Sequence, residues 1–452
     1  MASALNRRIF GVAFVYVVAS GLLLQWVVLP TTPWHHDHGL MAGGDWIEFH
    51  ELALELSRVI AIEGWTAWVP RVEGQAPASV AAALYALTGI EHPSVLLPLH
   101  GLLYGGATVA LFAMAIGLGA RRPLAYLTLL PLFAFPSTAM IWGQIHKDIY
   151  SLAGTMFVLR FWVQIWLMIG QHRQVSVRLA FREILLLFLG MLLIVYVRPY
   201  LGHIVLIGSL LVTFILLAAL FSRIHSILVL KQCKAIIPAC LLMMTIGLVV
   251  QANVVIYFSV DYGVVAHDGA VAPSCRPWTT TRFLPAAIDQ RLEKLSCARN
   301  GFRTNHPDAG SNIDVEIEFA SAADVLKYVP RALQIGLLAP FPQYWFGDSP
   351  QPGGSMMRLF AIPEMLLLYI ALPGLGLALL RKGFLAPTFM LIAFTILFVI
   401  THALTITNVG TLYRMRYPAV LIWIMLGIIG WSAWFDRLKM DPRDTALRGQ
   451  RA

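Results

Sequence analysis

Runs of about 20 apolar residues recur along this chain, the length an α-helix needs to cross a hydrocarbon core of roughly 30 Å. Backbone groups that face lipid must be bonded within their own segment, so such runs admit helices and exclude open sheets or irregular coil. Spans are expected near 9–29, 94–119, 123–142, 149–169, 181–197, 201–221, 235–258, 357–380, 385–404 and 417–435, about ten in all. Composition points the same way: 58% of the 452 residues are hydrophobic and 13% charged, against about 25% charged in a soluble globular chain. The expectation is an all-α, polytopic transmembrane helical bundle that makes a single integral membrane domain of residues 1–452. The first apolar run is too long, and lacks the small-residue cleavage site, for a removable signal peptide.

Lys and Arg set the orientation. One set of connecting pieces holds Arg7, Arg8, Arg121, Arg122, Arg173, Arg178, Arg182, Arg223, Lys231, Lys234, Arg381 and Lys382, and the tail adds Arg437, Lys439, Arg443, Arg448 and Arg451. The same pieces hold few acids: Glu183, Asp436, Asp441 and Asp444. By the positive-inside bias these pieces and both termini are cytoplasmic. That accounts for most of the +9 formal charge and removes the reason to invoke nucleic acid as a partner.

Two outer segments, 30–92 and 259–355, are too long to be mere connectors. The first contains "GGDWIEFHELALELSRVIAIEGW". Ile47, Leu52, Leu54, Leu56, Val59, Ile60 and Ile62 form a broad apolar face there, and Glu48, His50, Glu51, Glu55 and Arg58 a wetter one. That pattern suits a helix lying at the membrane surface. The second contains "VEIEFASAADVLKYVPRALQIGLLAPFPQYW", an interfacial helix ending at Pro340 and Pro342; Arg331 and the prolines argue against a crossing by 329–346. Cys275 and Cys297 both fall in this segment, where an oxidising compartment allows a disulfide. A metal pair is the alternative, but it lacks the close Cys/His spacing of a zinc site. Cys233 and Cys240 read as inert small apolar groups.

The stretch "WGQIHKDIYSLAG" sets His146, Lys147 and Asp148 side by side between two apolar runs, at the outer face. Arg198 in "YVRPYLG" and Arg414 and Arg416 in "TNVGTLYRMRYP" fall at the same face. Four cations from three hairpin tips thus converge, with Asp45, His50 and Asp148 as nearby acids and bases. A single Arg of this kind commonly snorkels to lipid headgroups. For the set that account is weaker, because the positive-inside bias disfavours Lys and Arg in short outer loops. An anion is expected, and Arg and Lys are natural partners of phosphate.

The order of features extends this. A first span is followed by an outer acidic residue on an amphipathic helix, then by "GQAPASVAAALYALTGIEHPSVLLPLHGLLYGGATVALFAMAIGLGARR", then by "PSTAMIW" and a lysine–acid pair. Over residues 1–220 this layout resembles the GT-C membrane glycosyltransferases, the superfamily that includes protein O-mannosyltransferases and aminoarabinose transferases. The later "VPRALQIGLLAPFPQYW" and "NVGTLYRMRYP" are similar to members found with surface-polysaccharide genes. The resemblance implies a catalytic Asp or Glu in the first outer loop. Asp45 fits; Asp37, in "HHDHG", is a second candidate, and no adjacent Asp-Asp or Asp-Glu pair exists.

The implied reaction moves a sugar from a polyprenyl-phosphate donor to a glycan or lipid-linked acceptor, at the periplasmic face of a bacterial inner membrane. Asp45 would deprotonate the acceptor hydroxyl, with His50 orienting it. Lys147, Arg198, Arg414 and Arg416 would stabilise the departing lipid phosphate, with His146 and Asp148 in support. The His-rich "WHHDHG" at 34–39 offers donors to a divalent cation, although exposed loop histidines usually bind nothing. Two other functions suit the layout: an O-antigen ligase or polymerase acting on a lipid-diphosphate glycan, and a lipid-linked sugar transporter.

Overall fold

The computed structural model describes residues 2–170, 177–221, 277–282, 284–305, 307, 309–347, 354–380 and 385–438. The run near 235–258 and Cys233, Cys240 and Cys275 lie outside them. The first half of the chain forms α1 (Ala2–Leu23), α2 (Trp46–Glu63), α3 (Ala76–Thr88), α4 (Leu97–Gly117), α5 (Arg122–Leu127), α6 (Leu130–Ala134), α7 (Thr138–Gly143), α8 (Asp148–Gly170), α9 (Val177–Val197) and α10 (Pro199–Phe221). The rest forms α11 (Ala286–Asn305), α12 (Ala322–Leu338), α13 (Gly354–Leu379), α14 (Leu385–Thr405), α15 (Val409–Met415) and α16 (Tyr417–Leu438). The only sheet among the described residues is a hairpin of β1 (His35–His36) and β2 (Leu40–Met41), with His35 opposite Met41.

The protein is mostly helical, and five helical segments are long and apolar enough to cross a membrane: Ala4–Thr31, Pro93–Gly117, Gly354–Leu379, Pro387–Thr405 and Tyr417–Asp436. Helices α8, α9 and α10, of 23, 21 and 23 residues, pack into the same bundle. Where helices meet most closely they do so through glycine, as membrane helices commonly do. A Cβ added at Gly430 of α16 would stand 1.9 Å from the carbonyl oxygen of Gly374 in α13, and one at Gly154 of α8 would stand 2.6 Å from that of Gly190 in α9. Because both obstacles are backbone, neither can swing aside. Gly430→Val is therefore expected to force α13 and α16 apart and to lower the melting temperature of the detergent-solubilised protein by several degrees; an unchanged melt would refute the close packing.

The run at 123–142, expected as one span, is instead broken into α5, α6 and α7. Pro131 and Pro136 cannot donate a backbone hydrogen bond, and each unsettles the turn before it. Irregular backbone at this depth is tolerated only where protein satisfies it, and here it is satisfied. The hydroxyls of Tyr104, Tyr16 and Tyr417 donate to the carbonyls of Leu132 (2.5 Å), Phe133 (3.0 Å) and Pro131 (3.2 Å). The Glu364 carboxylate accepts from the amide of Ser137 at 3.0 Å and from its hydroxyl at 2.7 Å.

The two ends of the bundle differ. At one, Arg121 pairs with Asp436 at 3.4 Å, and buried Glu183 of α9 takes Arg160 of α8 at 3.0 Å and Arg182 at 2.5 Å. At the other end sit the α7–α8 and α9–α10 turns, the α14–α15 turn and the described parts of both long segments. In the first long segment α2 packs on α3, burying Trp46, Phe49, His50, Ala53, Leu56, Ser57 and Ile60. This corrects the expected faces: His50 is on the buried side, whereas Ile62 is exposed. In the second, buried Arg299 of α11 donates to the carbonyls of Asp314 (2.9 Å), Ile317 (3.1 Å) and Leu404 (3.3 Å), tying the segment to the end of α14. Helix α12 is capped by Ser321 and stops at Leu338, short of Pro340. Cys297 is disulfide-bonded.

Candidate functional site

The α7–α8 turn carries the site and is fastened on three sides. The Gln25 amide donates to the Gly143 carbonyl at 2.8 Å, His100 Nδ1 to that of Trp142 at 2.7 Å, and the Met41 amide donates to Gln144 Oε1 at 3.1 Å. Ile145 is buried with Leu40, Trp46 and Phe49 in the apolar cluster beneath α2. The next three residues are thereby held at the bundle end with little freedom.

Asp148 opens α8 and is buried. One carboxylate oxygen lies 2.7 Å from Arg198 Nη1 and the other 2.9 Å from His146 Nδ1. Arg198 is placed by Pro199, which ends α9 and starts α10. On its other side His146 meets Arg414: Nη1 is 2.6 Å from Nε2. A guanidinium cannot accept, so Arg414 donates to Nε2, while Nδ1 faces both the Asp148 carboxylate at 2.9 Å and the Asp148 amide at 3.1 Å. The result is a group of alternating character, Arg198–Asp148–His146–Arg414, buried except for the half-buried Arg414 and assembled from three separate hairpin tips. Arg414 is aimed by α15, whose first turn is capped by the Asn408 side chain accepting from the Thr411 amide at 2.9 Å.

Lys147 is half-buried and, among the described residues, its ammonium forms no ion pair or hydrogen bond; its Nζ lies 5.4 Å from the centre of the Phe49 ring. Burial lowers its ammonium to about 8, with Arg198 and Arg71 adding to the effect and Asp45 and Glu48 opposing it. Those five residues are therefore electrostatic neighbours, and Asp45 also acts on Arg198. Asp45 precedes α2 as its N-cap residue, makes no capping hydrogen bond and is exposed. Glu48, one turn on, is also largely exposed; its carboxyl is raised by the partial burial it does have, then by Asp45 and Glu73. The acidic pair that does not exist as neighbours in sequence is thus formed by helical spacing.

Not every expected residue joins this group. Arg416 is wholly buried and turned away: it donates to the carbonyls of Gly336 (2.5 Å), Ile335 (3.3 Å) and Ala339, groups that the end of α12 leaves open. His50 faces α3, with Nδ1 2.9 Å from the Tyr85 hydroxyl and its ring 4.9 Å from that of His38. Burial, followed by His38, His92 and His36, lowers His50 to about 4, so it is neutral at ordinary pH. Asp37 is exposed in the β1–β2 turn, and no ion pair of the cationic group involves it among the described residues. Nor, among those residues, do three or more His, Cys, Asp or Glu side chains gather as a metal ion needs. Sequence reasoning passed over Glu48, Arg71 and Glu364. For Glu364 there was a signal, an acid inside an apolar span.

Compared with protein-family models, curated proteins and solved structures, the chain finds no match.

Proposed function

We propose that the chain is a membrane glycosyltransferase of the GT-C kind, moving a sugar from a polyprenyl-phosphate donor to a lipid-linked or envelope glycan acceptor. The observation that carries the reading is Lys147, an ammonium without an ion-pair partner among the described residues, under the influence of the like charges of Arg198 and Arg71 and the opposite charges of Asp45 and Glu48. A lipid phosphate held by Lys147 and Arg414 would put its sugar toward the two exposed carboxylates. Asp45 takes the acceptor hydroxyl proton as the new bond to the anomeric carbon forms. The bond from that carbon to the phosphate oxygen breaks, and the polyprenyl phosphate leaves with the electron pair, stabilised by the cations.

In this reading about ten spans cross a bacterial inner membrane, both termini are cytoplasmic, and the site faces the periplasm between the 30–92 and 259–355 segments. The basic Arg121 end of the bundle supports that orientation. Exposed Ile62, Trp65, Leu87 and Ile90 on the first segment suit contact with the lipid surface.

The test is binding of a polyprenyl monophosphate to the purified protein. Lys147→Ala is expected to weaken it by tenfold or more, since a charge-assisted contact is worth about 1.5–3 kcal/mol. Wild-type binding should also fall as pH rises through about 8, because the ammonium loses its proton there, whereas an ordinary lysine holds it to about 10.4. Equal binding by Lys147→Ala would reject the phosphate site. Mass spectrometry of co-purified lipids separates the enzyme classes: a monophosphate supports this reading, and a diphosphate glycan supports the ligase or polymerase.

A further inference from the structure

Glu364 lies in the span α13, outside the catalytic group, and is buried. Three donors converge on its carboxylate: the Ser137 amide at 3.0 Å, the Ser137 hydroxyl at 2.7 Å, and the Tyr413 hydroxyl. An ionised carboxylate is acceptor-only and can take all three at once. The identity of these donors is what gives the contact meaning. Ser137 is the N-cap of α7, the short helix that runs into the fastened turn bearing His146, Lys147 and Asp148. Tyr413 precedes Arg414 in α15, itself only seven residues long. The two strands of chain that meet at the Arg414–His146 contact of 2.6 Å are therefore joined a second time, deeper in the bundle, through one side chain of a third helix.

We propose that Glu364 is a positioning residue: it ties Ser137 to Tyr413 and so fixes where the Arg414 guanidinium meets His146 and, with it, the anion site. This rests on the reading of Lys147 and Arg414 as a lipid-phosphate site. A carboxylate serving only to satisfy the broken α5–α7 backbone would need Ser137 alone. The Tyr413 bond adds nothing to that repair, yet it is the one that reaches the arginine. Burial of the carboxylate makes the tie stiff, since no water competes for its oxygens.

The experiment is a double-mutant cycle on binding of farnesyl phosphate to the full chain in detergent. Arg414→Ala is expected to weaken binding about tenfold, and Glu364→Ala and Tyr413→Phe about five- to tenfold, the scale of one lost buried hydrogen bond. Glu364→Gln should stay within about twofold, because its amide oxygen accepts from the Ser137 amide while both hydroxyls can rotate to accept from its NH2. In the Arg414→Ala background, Glu364→Ala or Tyr413→Phe should add less than about twofold, since both act through the arginine already removed. Additive losses, or unchanged binding in the single Glu364 and Tyr413 variants beside a weakened Arg414→Ala, would overturn the positioning role alone. Unchanged binding in Arg414→Ala would overturn the phosphate reading and this proposal together. If Glu364→Ala does not fold, Tyr413→Phe carries the same cycle.

Discussion

Replacing Asp148 with Ala is expected to cost the fold about 3–5 kcal/mol, the usual effect of removing one partner from a buried ion pair. The carboxylate sits between Arg198 at 2.7 Å and His146 at 2.9 Å, and all three residues are buried. Without it a guanidinium is left in a site that water cannot enter. Asp148 also starts α8, where a negative charge is favoured by the helix dipole, so a second, smaller contribution goes with it. Thermal unfolding monitored in detergent should show the loss. The double variant Asp148→Ala/Arg198→Met should recover much of it, because the stranded charge is gone and an apolar side chain fills the space. A single variant as stable as wild type would mean that Arg198 reaches solvent or another anion. Donor binding in the double variant is a separate matter: His146 would no longer be oriented, and Arg414 would lose its fixed partner.

Much of this could be read from the chain because lipid makes the rules strict. Long apolar runs had few alternatives to helices, and the coarse arrangement, with three polar hairpin tips at one end, follows from their order. The break at 123–142 was signalled by Pro131 and Pro136, but its repair by Tyr16, Tyr104, Tyr417 and Glu364 comes from remote helices and has no local pattern. The roles of Arg414 and Arg416 separate for a reason that is local. Two residues apart on a helix end differ by about 200° in direction, so one can face His146 only if the other faces away, and the α12 carbonyls take it. His50 departs from the apolar pattern of α2, because counting apolar residues carries no sign of a polar partner. Tyr85 of α3 supplies that partner at 2.9 Å, which lets an imidazole sit in a buried seam. Asp45 and Glu48 are not neighbours in sequence, and only the helical turn between them brings their charges together.

Asp45→Asn is expected to lower sugar transfer by about 10²–10⁴, the usual contribution of a general base, while leaving donor binding and stability near wild type. The separation follows from what Asp45 does not do. It occupies the N-cap position of α2 without capping it, so the common N-cap loss of roughly 1 kcal/mol does not arise. It is exposed and forms no ion pair among the described residues, so no buried partner is stranded. Its carboxylate is near enough to act on Lys147 and Arg198, which would put it within the field of a phosphate bound by Lys147. Glu48→Gln serves as the companion. The Glu48 carboxyl is raised in part by Asp45, so removing the Asp45 charge brings it back toward its ordinary range. If Glu48 rather than Asp45 were the base, Asp45→Asn would stay active and the acid limb of its pH–rate profile would move to lower pH, because Glu48 would then ionise sooner. If Asp45 is the base, Asp45→Asn is reduced by about 10²–10⁴ at every pH and Glu48→Gln loses about tenfold or less. Full activity in both variants would remove the first outer segment from the chemistry.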